Sequence, residues 1–300
     1  MSGWSPGTVT VAVSAHEWPE ALEVMLRALA DQDGPPFEIV VADDGSGPET
    51  TAVVERWRDR LELQHVWQPH EGFRKARIMN LAARAATGDY LVFLDGDSLP
   101  RRGFLEAVRR AALPGWFLST KRVNLSEPFS RRILEGQLPV WRWSAVEWLI
   151  RAPREVRRPG FLVPARDRRR PWRGDQPEFS APGAAYCMFG LFRRDLERVN
   201  GYDARAVRWI DGEDQDLAMR LRRAGLRCGW AGPASTLFHL WHPPRRERSI
   251  VETPLFRETE ASDHVEAVVG LRELAAELGV AQVSAKRVGA SSSSSDPVKR

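Results

Sequence analysis

The sequence predicts an α/β protein built on a mostly parallel central sheet flanked by helices. Short apolar runs alternate with amphipathic stretches through the first hundred residues, the pattern of strands joined by right-handed crossover helices. One run, Tyr90-Leu91-Val92-Phe93-Leu94, is continuously apolar, as a strand covered on both faces requires. Acidic clusters directly follow two of the runs, and open α/β sheets bind ligands beyond the carboxyl ends of their strands.

Taken in order, residues 8–13 (Thr-Val-Thr-Val-Ala-Val) are rich in β-branched side chains and read as the first strand. Residues 19–31 place Leu22, Leu26 and Leu29 at helical spacing. Residues 37–42 form a second strand that ends in Asp43-Asp44-Gly45-Ser46. A helix over 49–61, a short strand over 63–67 and a helix over 74–86 lead to the buried strand at 90–94. Regular structure breaks between 125 and 180, where Trp141, Trp143, Trp148 and Trp172 stand among many arginines and prolines. It resumes at 184–192. Residues 211–224 then read as a helix with acids at its start and arginines at its end, as the helix dipole favours. The expected organisation is a domain over 1–245 with an insertion at about 125–180. A helical extension over 246–285, with its amphipathic helix at 264–278 open to assembly, and a low-complexity disordered tail over 286–300 complete it.

Composition bounds the function. Hydrophobic residues make up 43% of the 300, enough for a substantial core, and charged residues are an ordinary 28%. Cys187 and Cys228 lie in apolar surroundings and read as reduced, buried thiols. The first residues show no signal-peptide pattern, and no stretch approaches the roughly 20 apolar residues that span a bilayer. The sequence therefore predicts a cytoplasmic protein. Between Arg151 and Arg173 nine arginines face only Glu155 and Asp167. That local charge suits an anionic or lipid-linked acceptor, or a peripheral contact with an anionic membrane face; equally, the segment could simply pack its tryptophans on the domain. Nucleic acid is not expected, because no recognition motif accompanies the charge.

Four clusters can carry chemistry. Asp95-Gly96-Asp97 offers two carboxylates for a hard divalent cation, with a glycine that lets a pyrophosphate approach the backbone; a plain acidic turn is the competing reading. Asp43 and Asp44 can accept from a base N–H or a ribose hydroxyl, or merely cap a turn. Asp211-Gly212-Glu213-Asp214-Gln215-Asp216 opens a helix with more acceptors than capping needs, and Glu213 or Asp214 could serve as a base. His239 and His242, three apart, could complete a metal site begun by carboxylates elsewhere.

These clusters occur in an order that resembles the family 2 glycosyltransferases with the GT-A fold, especially the branch containing chondroitin polymerase domains and the galactosyltransferase-like C-terminal module. Val40-Val41-Ala42-Asp43-Asp44-Gly45-Ser46 is similar to the family's VVDDGS segment, and Glu71-Gly72-Phe73-Arg74 to Asn80 to its EGFRxxxxRN segment. Gly88-Asp89-Tyr90 to Asp97 is similar to GDYLxFLDxD, and Trp209 to Asp214 to the segment that supplies the base. The likeness runs over residues 9–243. It implies an inverting, metal-dependent transfer from a nucleotide sugar, a UDP-sugar, with Mn²⁺ or Mg²⁺. It implies that Asp97 and His239, with His242 in reserve, bind the metal. Asp95 and Gly96 would meet the donor ribose or phosphates, and Asp43 and Asp44 the uridine. Arg74 and Arg77 fall among the donor contacts; Met79 replaces the arginine the family carries before Asn80. Asp214 would deprotonate the acceptor hydroxyl while Glu213 orients acceptor or donor. The first strand ends in Ser14-Ala15-His16-Glu17 rather than the family's aromatic turn. A sugar-phosphate nucleotidyltransferase would need a glycine-rich loop there, and a non-catalytic sugar-nucleotide-binding relative would lack the acids that remain here.

Overall fold

The computed structural model describes residues 6–120, 122–152, 155, 187–243, 253–275 and 282–285. Four parallel strands form its centre in the order β3-β2-β1-β4: β1 (Val9–Ala15), β2 (Glu38–Asp43), β3 (Leu63–Trp67) and β4 (Tyr90–Leu94). They are joined by α1 (Pro19–Ala30), α2 (Pro48–Trp57) and α3 (Lys75–Ala85). Successive side chains point to opposite faces, and both faces are apolar. Tyr90, Val92 and Leu94 enter one core while Leu91 and Phe93 enter the other. Val11 and Val13 divide from Ala12 in the same way.

The next elements are β5 (Ser98–Pro100), α4 (Phe104–Ala111), β6 (Trp116–Ser119), β7 (Arg122–Asn124), α5 (Glu127–Leu134) and α6 (Ala145–Arg151). They are followed by β8 (Met188–Phe192), α7 (Arg193–Arg198), α8 (Glu213–Arg223), β9 (Arg227–Trp230), β10 (Leu237–His239), α9 (Pro254–Ala261) and β11 (Gln282–Ala285). The large sheet runs β11-β3-β2-β1-β4-β8-β6-β9, with β8 antiparallel to both its neighbours. A small sheet, β5-β10-β7, stands apart from it. β1 pairs with β2 on one side and β4 on the other, so the strand order reverses there. A crevice opens at such a switch point.

One expectation meets a different outcome. Residues 264–275 do not continue as an amphipathic helix. Their amides bond to distant chain instead: Ala267 N donates to Val199 O at 3.0 Å and Leu271 N to Asn200 O at 2.9 Å. Gly270 lies so close to Asn200 that an added Cβ would sit 1.8 Å from its carbonyl oxygen. Non-local partners have outcompeted the helix. Helical structure in this extension appears earlier, at α9, and β11 adds antiparallel to β3.

Of the two readings of the tryptophan-rich insertion, its first half follows the one in which the tryptophans pack on the domain. Trp141, Trp143 and Trp148 are all buried. Trp148 stacks on Phe238 with ring centroids 4.6 Å apart, and its ring meets Trp143 edge-on at 5.2 Å. Trp141 donates to Asp31, which also takes a two-pronged pair from Arg142. Trp172, most of the arginine run and the tail at 286–300 lie outside the described residues. Among the described residues no helix is long and apolar enough to cross a membrane.

Candidate active site

Beyond the carboxyl ends of β1, β2 and β4 lies a cavity of about 560 Å³. Asp44, Asp95, Gly96, Asp97, Glu213, Asp214, His239 and His242 all border it.

Asp97 follows β4 by three residues and His239 ends β10. The register of the small sheet sets His239 opposite Ser98, and Leu240 N donates to Asp97 O at 2.8 Å. Two residues 142 apart in the chain are thereby made neighbours. His239 Nε2 lies 3.4 Å and His242 Nε2 3.7 Å from Asp97 Oδ2. The three ligand atoms fall within 4.8 Å of one another, so one divalent cation can reach all three. One carboxylate and two imidazoles fill half of a six-coordinate shell, which leaves positions for phosphate oxygens and water. Burial holds the His239 imidazole below its ordinary value, against the pull of Asp97. A neutral imidazole is the form that ligates a metal.

α8 begins with Glu213 and Asp214, which line the same cavity. Gly212, in the left-handed conformation (φ +73°), starts the helix and turns them inward. The other acids of that segment are structural. Asp211 accepts from the Val207 and Arg208 amides and pairs with the Arg208 guanidinium. Asp216 holds Arg220 and Thr259 Oγ1 in the interior. Beside these two acids stands Lys75, the first residue of α3, which sequence reasoning passed over. Its ammonium lies 2.8 Å from Asp95 Oδ1, 3.1 Å from Glu213 Oε1 and 3.1 Å from Asp214 Oδ2.

One ammonium cannot offset three buried carboxylates. Burial pushes the Asp214 carboxyl up to about 8, with Glu213 and Asp95 adding to the rise that Lys75 opposes. Burial raises Asp95 too, but the Lys75 charge and hydrogen bond bring it below the usual carboxylate value. Burial alone would lower Lys75; the Asp214, Asp95 and Glu213 charges hold it well above its ordinary value. A carboxylate whose proton affinity sits near neutrality is suited to general-base work.

Asp44 keeps its place at the cavity. Its Oδ1 accepts from Gln68 Nε2 at 2.6 Å and its Oδ2 from the Arg74 amide at 2.9 Å. Three other expected donor contacts are turned away. Asp43 is fully buried, with Oδ1 accepting the Ser46 amide at 2.8 Å and Oδ2 lying 2.9 Å from His65 Nε2. It closes the β2 turn. Arg74 pairs with Glu71 and the Pro69 carbonyl, and Arg77 donates to Gln68. None of the three borders the cavity. His16 and His70 do, stacked at 4.5 Å with both Nδ1 atoms within reach of the Asp44 carbonyl oxygen. Arg122 on β7 and Trp209 complete the wall near the two acidic sites. No spacing rule flags Lys75, Arg122, His16 or His70; the hints were that Lys75 adjoins the Glu71-to-Arg74 segment and that His16 stands in the turn where the sequence departs from the family.

Residues 10–116 match the model of glycosyl transferase family 2. This chain carries a family 2 glycosyltransferase domain. It is 35% identical over 235 residues to validoxylamine A glucosyltransferase of Streptomyces hygroscopicus subsp. limoneus, a match covering 73% of this chain and 48% of that protein. The chain thus spans about half the length of that curated relative. In fold it resembles Staphylococcus aureus TarS 1–349 in complex with UDP-GlcNAc (TM-score 0.54, 16% identity, 84% of this chain and 64% of that one). It also resembles the mannosyltransferase PcManGT of Pyrobaculum calidifontis in complex with GDP-Man and Mn²⁺ (TM-score 0.53, 22% identity, 92% and 75%). The fold is GT-A.

Proposed function

We propose that the protein is an inverting, metal-dependent glycosyltransferase that moves a hexose from a UDP-sugar to an acceptor hydroxyl, in polysaccharide or glycoconjugate synthesis. The observation that carries the reading is that two sites border one cavity. The Asp97-His239-His242 cluster and the Glu213 and Asp214 carboxylates at the start of α8 line it together. A family 2 domain with both is equipped for leaving-group and nucleophile activation together. Relatives named for glucosyl transfer, and neighbours in complex with nucleotide sugars, support the substrate class.

Asp97, His239 and His242 would hold Mn²⁺ or Mg²⁺; when bound, the ion supplies Lewis-acid neutralisation of the charge that builds on a departing nucleoside diphosphate. Arg122 adds a fixed cation to the same wall. Asp44 would accept from the nucleobase, and the stacked His16 and His70 rings offer an apolar-faced wall beside it. Asp95 and Gly96 would lie along ribose and diphosphate. Asp214 would take the proton from the acceptor hydroxyl as that oxygen attacks the anomeric carbon from the face opposite the leaving group. Glu213 orients the acceptor. The anomeric carbon inverts because bond making and breaking occur on opposite faces in one step. The acceptor side would include the arginine-rich insertion, reaching an anionic, lipid-linked or small-molecule acceptor at the cytoplasmic face of the membrane.

The test is nucleoside diphosphate release from a panel of nucleotide sugars with Mn²⁺, with and without EDTA. Release from one UDP-sugar, lost in EDTA and in Asp97→Ala, is the expected result. If no nucleotide sugar or nucleoside diphosphate binds in a metal-dependent way by calorimetry, the reading fails.

A further inference from the structure

We propose that Lys75 is a positioning residue for the transfer step, acting through Asp214: its ammonium opposes protonation of the base, holds it in place at the cavity, and ties it to the carboxylate that begins the metal motif. The proposal rests on the glycosyltransferase reading above for the identity of the step.

The geometry is specific. An ammonium has three donors and no acceptor. At Lys75 three carboxylate oxygens, from Asp95, Glu213 and Asp214, lie 2.8, 3.1 and 3.1 Å from one nitrogen. The ammonium donates to Asp214 Oδ2 and forms ion pairs with the other two. The partners come from two separate places in the chain, the loop after β4 and two successive residues of α8, met by the first residue of α3. The Lys75 side chain is 16% exposed, and Glu213 and Asp214 are 7% and 13%. At such burial like charges favour protonation of one member, and a nearby cation opposes it.

Lys75 is the cation that pairs with Asp214. Glu213 adjoins Asp214 on α8, Asp95 acts on it from the end of β4, and the Tyr202 hydroxyl and Cys187 thiol belong to the same cluster. Arg122 on β7 and His239 act on Asp95. Removal of the ammonium leaves Arg122 and His239 to act on Asp95 but takes the paired cation from Glu213 and Asp214. Protonated, Asp214 cannot accept from the acceptor hydroxyl. Among the described residues Lys75 pairs with Asp95, Glu213 and Asp214 and not with Asp44, His239 or His242, and the donor nucleotide should bind without it. Arginine is a poor substitute, because a planar fork cannot aim at three oxygens arranged around a tetrahedral nitrogen.

The experiment uses the full chain, with Lys75→Met and Lys75→Arg checked for folding by circular dichroism. Three readouts are made: UDP binding in Mn²⁺ by calorimetry, the pH profile of UDP release from the UDP-sugar the wild type accepts, and carboxyl titration of ¹³C-aspartate-labelled, metal-free protein by NMR. In Lys75→Met, kcat should fall by about 10²-fold or more, the loss expected when a general base is disabled. UDP affinity should stay within about threefold, a change too small to signal a lost ionic contact. The acid limb of the profile and the Asp214 carboxyl titration should both move to higher pH. Lys75→Arg should recover part of the rate and return the limb toward the wild-type position. An equal loss at every pH, an unmoved Asp214 titration, or a parallel collapse of UDP affinity would overturn the proposal. Should Lys75→Met fail to fold, the NMR titration and the profile of Lys75→Arg decide alone. A wild type that binds no UDP sinks the glycosyltransferase reading instead, while the metal-free titration still tests Lys75.

Discussion

At Gly96 an added Cβ would sit 2.2 Å from the Ser14 carbonyl oxygen, so the turn carrying Asp95 and Asp97 presses against the end of β1. Gly96→Ala must displace that backbone, at about 1–3 kcal/mol by analogy with overpacked cores. Both a lower Tm and weaker Mn²⁺-dependent UDP binding should follow; an unchanged Tm would show that the turn has slack. Asp214 is tested by charge alone. Asp214→Asn keeps its shape and should cost about 10²–10⁴ in kcat with UDP affinity retained, measured by product release and calorimetry. Because burial pushes its carboxyl to about 8, the wild-type kcat/KM should climb with pH up to that region, since the base acts deprotonated. A flat profile between pH 6 and 9 would remove Asp214 from the role.

Elements explain why the site holds its shape. β10 carries His239 and is gripped from behind by the insertion, through the stack of Trp148 on Phe238. Trp148 is fully buried beside Phe129 and Trp143. Trp148→Ala should destabilise the fold by about 3–5 kcal/mol, as large-to-small changes of buried aromatics do. It should also loosen metal binding, because β10 loses its backing one residue from His239. Thermal unfolding and Mn²⁺ titration check both; loss of stability with unchanged metal affinity would confine Trp148 to packing. α8 is anchored separately by the buried Asp216-Arg220 pair, whose guanidinium also donates to Val199 O and Gly201 O at 2.8 and 2.9 Å. That anchor leaves Glu213 and Asp214 free to serve the cavity.

For the whole molecule, the buried cluster links stability to pH. Asp214 in the folded state titrates near 8, above the ordinary carboxylate value of about 4. The folded state therefore binds this proton more tightly than the unfolded chain does. Its contribution to stability is complete below about pH 4 and is lost as pH rises through 8. The Tm of the wild type relative to Asp214→Asn should fall across that window, and a constant difference would contradict the burial argument. The large sheet sets this environment. Strands apolar on both faces exclude water from below, while the reversal of strand order at β1 opens the crevice above.

The sequence by itself determined the parallel strands and the order of the acidic and histidine clusters. A strand covered on both faces must read as an unbroken apolar run, as 90–94 does, and a turn that admits phosphate needs glycine between its acids. Those are local demands, so they are written locally. The partnership of Asp97 with His239 and His242 was legible only through family resemblance, because a strand register across 142 residues brings them together. The diversion of Asp43 to His65 and of Arg74 to Glu71 was hidden for a related reason. An acid or an arginine looks the same in sequence whether it faces a ligand or a neighbour, and only the fold decides which partner is nearer. Lys75 was decided by tertiary structure entirely: its three carboxylates converge from elements whose proximity no periodicity encodes. The segment at 264–275 carries a helical pattern, yet bonds to the loop after α7 took its amides, since non-local partners outweigh propensity where the chain is packed against them.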